Sequence, residues 1–272
     1  MTAENNRTLN IALIQFHRRL TEQNLNLELA SELVSGIEGA DIVCFPEVWY
    51  GAVVLDESQN EEIVSFLGGL GAGKGAYILS GGLFVSRGGR ILDVCHVIGP
   101  DGGLICEQQK NMPSGAVGER RFCDFGSGLV TFDCRGVRCG VQICVDLYYP
   151  EMTRELALSG AELVFNPANI PENRRDTWHS LVRTRAGENT VFVAYVNNTN
   201  TRYRDGREVM GGSLIAGPDG NVLAETESDV SVIQIELCMD EIGKQRERWP
   251  YLDDVMQMRE NGRTAPGITH YG

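Results

Sequence analysis

Residues 140–151 read GVQICVDLYYPE, and the fold turns on this stretch. Its first half is short, apolar and bounded as a buried strand would be. Its second half opens a helix: Pro150 suits a first helical position, where its missing N–H is no loss, and Glu151 stands in a first turn that favours acids. Cys144 therefore falls at the elbow between a strand end and a helix start. Such an elbow presents its sulfur beside backbone N–H groups, which favour a thiolate and can hold an oxyanion, the N–H of Val145 being the natural donor.

Outward from the elbow, strands and helices alternate in both directions. Residues 9–16 form a predicted buried strand, and Leu25, Leu29, Leu33, Val34 and Ile37 follow at helical spacing. DIVCF (41–45) is a second short strand ending at Pro46, which cannot donate to a ladder, so Glu47 sits where a strand opens into a loop. A helix is expected over 57–70. YILSGGLFVS (77–86), RILDVCHVIG (90–99) and LICEQQK (104–110) alternate with the turn pairs Gly88-Gly89 and Asp101-Gly102 as antiparallel strands, the last closed by Lys110. LVTFDC (129–134) and VRCGVQIC (137–144) make a hairpin whose second strand runs into Cys144. Beyond the elbow come a helix ending at Gly160, the strand ELVFNPA (162–168), a helix over about 177–189, the strand VFVAYVN (191–197), two strands around Pro218-Asp219-Gly220 and a polar C-terminal arm. With no linker, repeat or low-complexity tract, all 272 residues read as one α/β domain, 241–272 being the arm.

Composition narrows the partners. A formal charge of −13, with no stripe of Lys and Arg to override it, repels phosphate backbones and anionic lipid, so neither nucleic acid nor membrane is an expected partner. The opening MTAENNRT lacks the apolar stretch of a secretory signal, and no apolar run approaches the roughly 18 residues that span a bilayer. A soluble, cytoplasmic protein is expected. Eight cysteines in a chain of this length fall short of a disulfide scaffold and read as reduced thiols, mostly small core hydrophobes.

Three strand ends carry the groups that acyl transfer needs: a nucleophile (Cys144), a base (Glu47) and a cation (Lys110). In open α/β sheets ligands bind at the carboxyl ends of strands. Glu47 follows the apolar run IVCFP, and partial desolvation would raise its pKa toward the range useful for proton transfer. Each residue also has a plain reading alone: inert core thiol, solvated loop acid, surface lysine.

Together the residues resemble the nitrilase/amidase superfamily of carbon–nitrogen hydrolases. FPEVWYG (45–51) resembles its glutamate motif; Lys110 followed by Pro113, Glu119 and Phe122 resembles its lysine block; GVQICVDLYYPE resembles its nucleophile motif. RELALSGAELVFNPAN (154–169) and LVRTRAGENTVFVAYVN (181–197) resemble later blocks, so the likeness spans roughly residues 9–240. It implies a four-layer α-β-β-α sandwich, a covalent acyl-enzyme (a thioimidate for nitriles), no metal or organic cofactor, and a homodimer or higher homo-oligomer to which residues 246–260 could cross. It also places Glu119 beside the site, positioning the lysine or the substrate. Asp146 and Glu151 read as caps or buried partners of groups such as Arg185. CEQQKNMPSG departs from the family's usual lysine block, which carries an aromatic or basic residue and a His, but Lys74 is a poorer candidate because no Pro and Glu follow it.

Other signals carry less. GGLGAGK (68–74) matches the start of a phosphate loop, yet Gly75 stands where a Ser or Thr must meet magnesium and the flanks are reversed, so it reads as a helix-to-strand connection. Cys134, Cys139 and Cys144 lack zinc-knuckle spacing. His96 or His179 as a base for Cys144 is the peptidase alternative.

The resemblance implies hydrolysis of a small amide to acid and ammonia; the alternatives are a nitrilase, an N-carbamoyl amidohydrolase and a catalytically silent binding subunit. Trp49, Tyr50, Tyr148, Asn169, Trp178 and His179 are the pocket candidates. Leu147 and Tyr148 stand where a carboxylate-gripping arginine would, which predicts neutral or apolar substrates unless Arg174 or Arg175 swings over the site. Cys144→Ala is expected to abolish ammonia release without unfolding the protein, while alanine at any of the other cysteines leaves at least partial activity; residual turnover in Cys144→Ala would remove it as nucleophile.

Overall fold

The strand Thr8–His17 lies inside the largest sheet of the computed structural model, which describes residues 7–262. On one side it pairs in parallel with Ile42–Cys44, which continues to Tyr77–Leu79 and then, antiparallel, to Arg90–Ile98. Arg90–Ile98 also pairs with Leu83–Arg87 and with Leu104–Gln109, both antiparallel. The other side of Thr8–His17 is covered by Ser231–Cys238, antiparallel from Thr8↔Cys238 to Gln15↔Ser231. In the second sheet Val137–Val141, Leu163–Pro167 and Phe192–Val196 run parallel, flanked by Thr131–Cys134 on one edge and by Leu214–Ala216 and Val222–Glu225 on the other.

Among the described residues six α-helices accompany the sheets: α1 (Gln23–Ser35), α2 (Glu57–Lys74), α3 (Pro150–Leu158), α4 (Arg175–Asn189), α5 (Asp240–Arg248) and α6 (Tyr251–Glu260). The period-2 alternation of strand side chains sorts the layers. Leu9, Ile11, Leu13, Ile42, Cys44, Leu79 and Val97 share one core with the second sheet. Their neighbours Ala12, Ile14, Phe16, Val43, Phe45, Ile78 and Ile98 join Ala30 and Val34 of α1 and Ile63 and Leu67 of α2 in another. Leu156 and Ala157 of α3 and Trp178, Val182 and Ala186 of α4 cover the second sheet. The result is the expected α-β-β-α sandwich.

Three local readings need correction. First, α1 forms where its spacing placed it, with Val34 and Ile37 buried and Leu29 and Leu33 packed on the core, but Leu25 is 38% exposed and Asn26 and Ala30 are buried instead. Asn26 is the hub: its amide donates to the carbonyls of Arg19 (2.7 Å) and Tyr50 (2.9 Å) and accepts from the Arg19 N–H (3.0 Å), tying the chain after the first strand to the loop after Glu47. Second, α2 runs on through GGLGAGK to a left-handed cap at Gly75, and its glycines serve close approach: a Cβ on Gly68 would lie 2.5 Å from the Gly102 carbonyl oxygen. Third, the alternating run SVIQIELC is a full strand that lies between the two strands expected around Gly220 and the arm expected from residue 241, where no strand was expected. The described part of the C-terminal arm packs on its own chain: Leu252 is buried in the cluster that includes Leu156 of α3 and Trp178 of α4, and Arg259 pairs with Glu155 of α3, while residues 263–272 lie outside the described residues.

Asn26→Ala strips partners from three half-buried backbone groups, and each such loss typically costs about 1–3 kcal/mol. A fall of roughly 3 kcal/mol in unfolding free energy is expected from urea titration; a loss below about 1 kcal/mol would show that water replaces the side chain.

Candidate active site

Arg90–Ile98, Leu104–Gln109 and the loop after Ile42–Cys44 bring four ionisable groups to one buried point. Lys110, 1% exposed, closes the strand Leu104–Gln109, and its N–H bonds the Asp93 carbonyl (2.8 Å). Its Nζ donates to Glu47 Oε1 (2.6 Å) and Glu119 Oε2 (2.7 Å) and lies 3.3 Å from Asp93 Oδ2. Glu119 starts a short 3₁₀ turn and also accepts from the Ser114 N–H (2.6 Å). Glu47 is fixed through its backbone: its N–H meets the Ala168 carbonyl (3.3 Å) and its own carbonyl accepts from Asn198 Nδ2 (2.7 Å). Gly82 makes room for the cluster, because a Cβ there would lie 2.6 Å from Asp93 Oδ1 and 2.8 Å from Glu47 Cγ.

Burial alone would pull the Lys110 ammonium down, but the surrounding Glu47, Cys144, Asp93 and Glu119 hold it well above the ordinary lysine range. Burial raises Glu47 against the pull of Lys110. The oxygens of Glu47, Asp93 and Glu119 all lie within 4.8 Å of one another, a spacing that suits a metal ion. Here the Lys110 ammonium takes the cation's place between them.

Cys144 opens the 3₁₀ turn Cys144–Tyr148, after a strand that stops at Val141 rather than running into the cysteine. Its φ of 49° is left-handed, a conformation that a side chain adopts only when the surroundings impose it. Those surroundings are polar and buried. Asn166 Nδ2 donates to the carbonyls of Gln142 (2.7 Å) and Cys144 (3.1 Å), and Trp178 Nε1 donates to Asn166 Oδ1 (3.0 Å). The Asp146 carboxylate accepts from the N–H groups of Asn111 (3.0 Å) and Met112 (2.9 Å), which locks the elbow to the segment after Lys110. Asp146 is thus no partner of Arg185, which instead donates to the carbonyls of Leu147 (3.0 Å) and Tyr148 (3.2 Å). Val145, second in the turn, is among the first N–H groups that such a turn leaves unpaired.

The sulfur lies beside the Glu47 carboxylate and the Asn169 backbone. Burial, then the negative charge of Glu47, push its thiol well above the usual cysteine range despite Lys110. The resting group is a thiol, contrary to the expectation that the elbow favours thiolate. Burial outweighs the N–H groups.

A cleft of about 670 Å³ opens over Glu47, Glu119 and Asn169. Of the six pocket candidates only Asn169 lines it. Trp49 is fully buried instead, packed edge-on to Phe16 (5.4 Å between rings) with Nε1 bonded to the Ser80 carbonyl (2.6 Å), and Tyr50 packs beside it. Trp178 supports Asn166, Tyr148 packs on Trp178, and His179 bonds the Gly212 carbonyl (2.7 Å). Arg174 bonds the Tyr148 hydroxyl and Arg175 the Met210 carbonyl, so neither reaches the cleft. His96 sits between Ser80 Oγ (3.3 Å) and Glu107 (3.2 Å), and neither it nor His179 bonds Cys144. Two residues passed over in the sequence matter: Asp93, an acid inside the apolar run ILDVCHVI, which was a readable signal, and Arg18, whose run HRRL gave none.

The chain belongs to the carbon–nitrogen hydrolase family, whose sequence model matches residues 10–247. It is 29% identical over 252 residues to a 2-oxoglutaramate amidase of Bacillus subtilis (strain 168), covering 90% of this chain and 96% of that one. It is also 29% identical over 248 residues to a nitrilase of Pyrococcus abyssi, covering 84% and 90%. An amidase from Nesterenkonia sp. shares the fold with a TM-score of 0.80 at 24% identity, over 93% of this chain and 96% of the other. The protein is therefore a cysteine-dependent enzyme of carbon–nitrogen bond hydrolysis.

Asp93 offers a pH test. Burial pushes its carboxyl up to about 7, against the opposing pull of the Lys110 ammonium 3.3 Å away. Because the folded pKa exceeds the unfolded value of about 3.9, this contribution to stability is complete below about pH 4 and is lost as pH rises toward 7. Asp93→Asn should flatten the fall in stability between pH 4 and 7 by a few kcal/mol in urea unfolding; equal slopes in the two proteins would show that Asp93 is ionised throughout.

Proposed function

We propose that the protein hydrolyses a small amide to the acid and ammonia, with Cys144 as nucleophile, Glu47 as general base and Lys110 with the Val145 N–H as oxyanion donors. The observation that carries this reading is the buried 2.6 Å contact of Lys110 with Glu47, with the Cys144 sulfur beside that same carboxylate. Cys144 rests as a thiol, so its proton leaves to Glu47 as the sulfur attacks the carbonyl carbon. The oxyanion meets a cation and an N–H that need no reorganisation. Glu47 then returns the proton to the departing nitrogen, ammonia leaves, and a thioester remains. In the second half Glu47 takes a proton from water, hydroxide adds to the thioester, and collapse releases the acid and restores the thiol.

Glu119 Oε2 accepts from both Lys110 Nζ and the Ser114 N–H, and we assign it a positioning role. Asp93, protonated, can donate to Glu47 and so keep that carboxylate's second oxygen occupied. The relative named for 2-oxoglutaramate favours amide over nitrile, and we carry that preference to this chain. A panel of short amides, N-carbamoyl compounds and nitriles, read as ammonia release, decides among the three.

Glu47→Gln keeps the side chain's shape but neither accepts nor returns the proton. Turnover of the best amide is expected to fall about 100-fold or more, with unfolding in urea little changed. A Gln variant that turns over normally would return the base to a histidine and support the peptidase alternative.

A further inference from the structure

The cleft above Glu47 is lined by five arginines, Arg18, Arg121, Arg202, Arg204 and Arg207, against three acids, in a chain whose net charge is −13. Such a local reversal of sign focuses anions toward the cleft. Arg202 and Arg207 are committed to surface partners, Glu208 (3.3 Å) and Asp205 (2.8 Å), and both pairs are open to solvent. Arg18 differs from all of them. It follows directly on the strand Thr8–His17, is only 4% exposed, and makes no ion pair and no side-chain hydrogen bond among the described residues; its Nε is buried without a partner. The nearest acid, Glu47, is held by Lys110, and Tyr203, which also faces Arg18, gives its hydroxyl to the Asn169 carbonyl.

A guanidinium stays charged at any physiological pH and is costly to bury without a carboxylate or phosphate. A ligand that brings the missing anion relieves that cost, and a planar fork of donors suits a carboxylate in particular. We propose that Arg18 is the substrate's anion anchor, so that the amide hydrolysed at Cys144 carries a free carboxylate at its far end. The proposal rests on the amidase reading above and reverses the sequence-based expectation of neutral substrates: specificity comes from the end of the first strand, not from the elbow or the 171–179 loop. Phosphate is excluded as the main target because the cleft's other cations are engaged or exposed, leaving one buried fork for one planar anion.

The test compares glutaric and succinic monoamides with their methyl esters. For the wild type, kcat/KM is expected to be at least about tenfold higher for the free acids. In Arg18→Gln that ratio should collapse, chiefly through KM. Equal kcat/KM for acid and ester in the wild type, or a ratio that survives Arg18→Gln, overturns the anchor while leaving the amidase reading intact. Calorimetry on Cys144→Ala needs no turnover: glutaric monoamide should bind, and binding should weaken at least about tenfold in Cys144→Ala/Arg18→Gln. If no amide is hydrolysed but this Arg18-dependent binding is seen, the anchor stands and the amidase reading falls. Should Arg18→Gln fail to fold, Arg18→Lys keeps the charge without the fork; a ratio reduced about threefold or more supports the anchor, and an unchanged one overturns it.

Discussion

A lysine ammonium with almost no exposure, 2.6 and 2.7 Å from two glutamates and 3.3 Å from an aspartate, is the interaction on which the rest of this structure depends. Removing a charge of either sign from water is expensive, and the cluster holds together only because opposite charges meet at hydrogen-bond distance with their remaining lone pairs partly satisfied. That requirement explains local choices around it. Gly82 has no side chain because Asp93 and Glu47 need the space, and the turn at Glu119 closes so that the Ser114 N–H can share its carboxylate with Lys110. It also explains a buried aspartate with no aligned donor: with one cation among three acids, keeping a proton on Asp93 lowers the charge that must be accommodated.

The second constraint is the backbone at Cys144. A left-handed cysteine persists because Asn166, Trp178 and Gln142 hold the strand end while Asp146 ties the turn to Asn111 and Met112, next in sequence to Lys110. One carboxylate thus sets the distance between elbow and cation. The two sheets supply the rigidity, since Cys144 follows a strand of one sheet and Lys110 a strand of the other, and their shared core fixes both. Placed so deep, the sulfur stays protonated until a base acts, which suits a thiol that should be reactive only with substrate in place.

The cleft is built from other parts of the chain than this cluster. The aromatic residues nearest in sequence to Glu47 and Cys144 support the site from behind: Trp49 fills the core beneath the first sheet and Trp178 braces Asn166. The cleft wall is drawn instead from distant segments, the end of the first strand, the loop before Glu119 and the 202–207 hairpin.

Much of the fold was legible because its signals are local. Period-2 runs gave the strands, Pro46 and Pro150 marked a strand end and a helix start, and the Cys144 elbow follows from that order; SVIQIELC carried the same alternation and could have been read too. Local spacing placed α1 and most of its core face but not Leu25, because leucines at helical intervals do not say that a buried Asn26 will claim the first turn. What only the tertiary structure decided depends on which groups meet across the sheets. Lys110 reaches Glu47 across 63 residues, Asp93 becomes the fourth member of the cluster, and Arg18 is left buried without an ion pair among the described residues. The physical reason is that a side chain's type is written in the sequence, whereas its charge state and partners are set by how much water the packed molecule leaves it and which opposite charges it brings within a few ångströms.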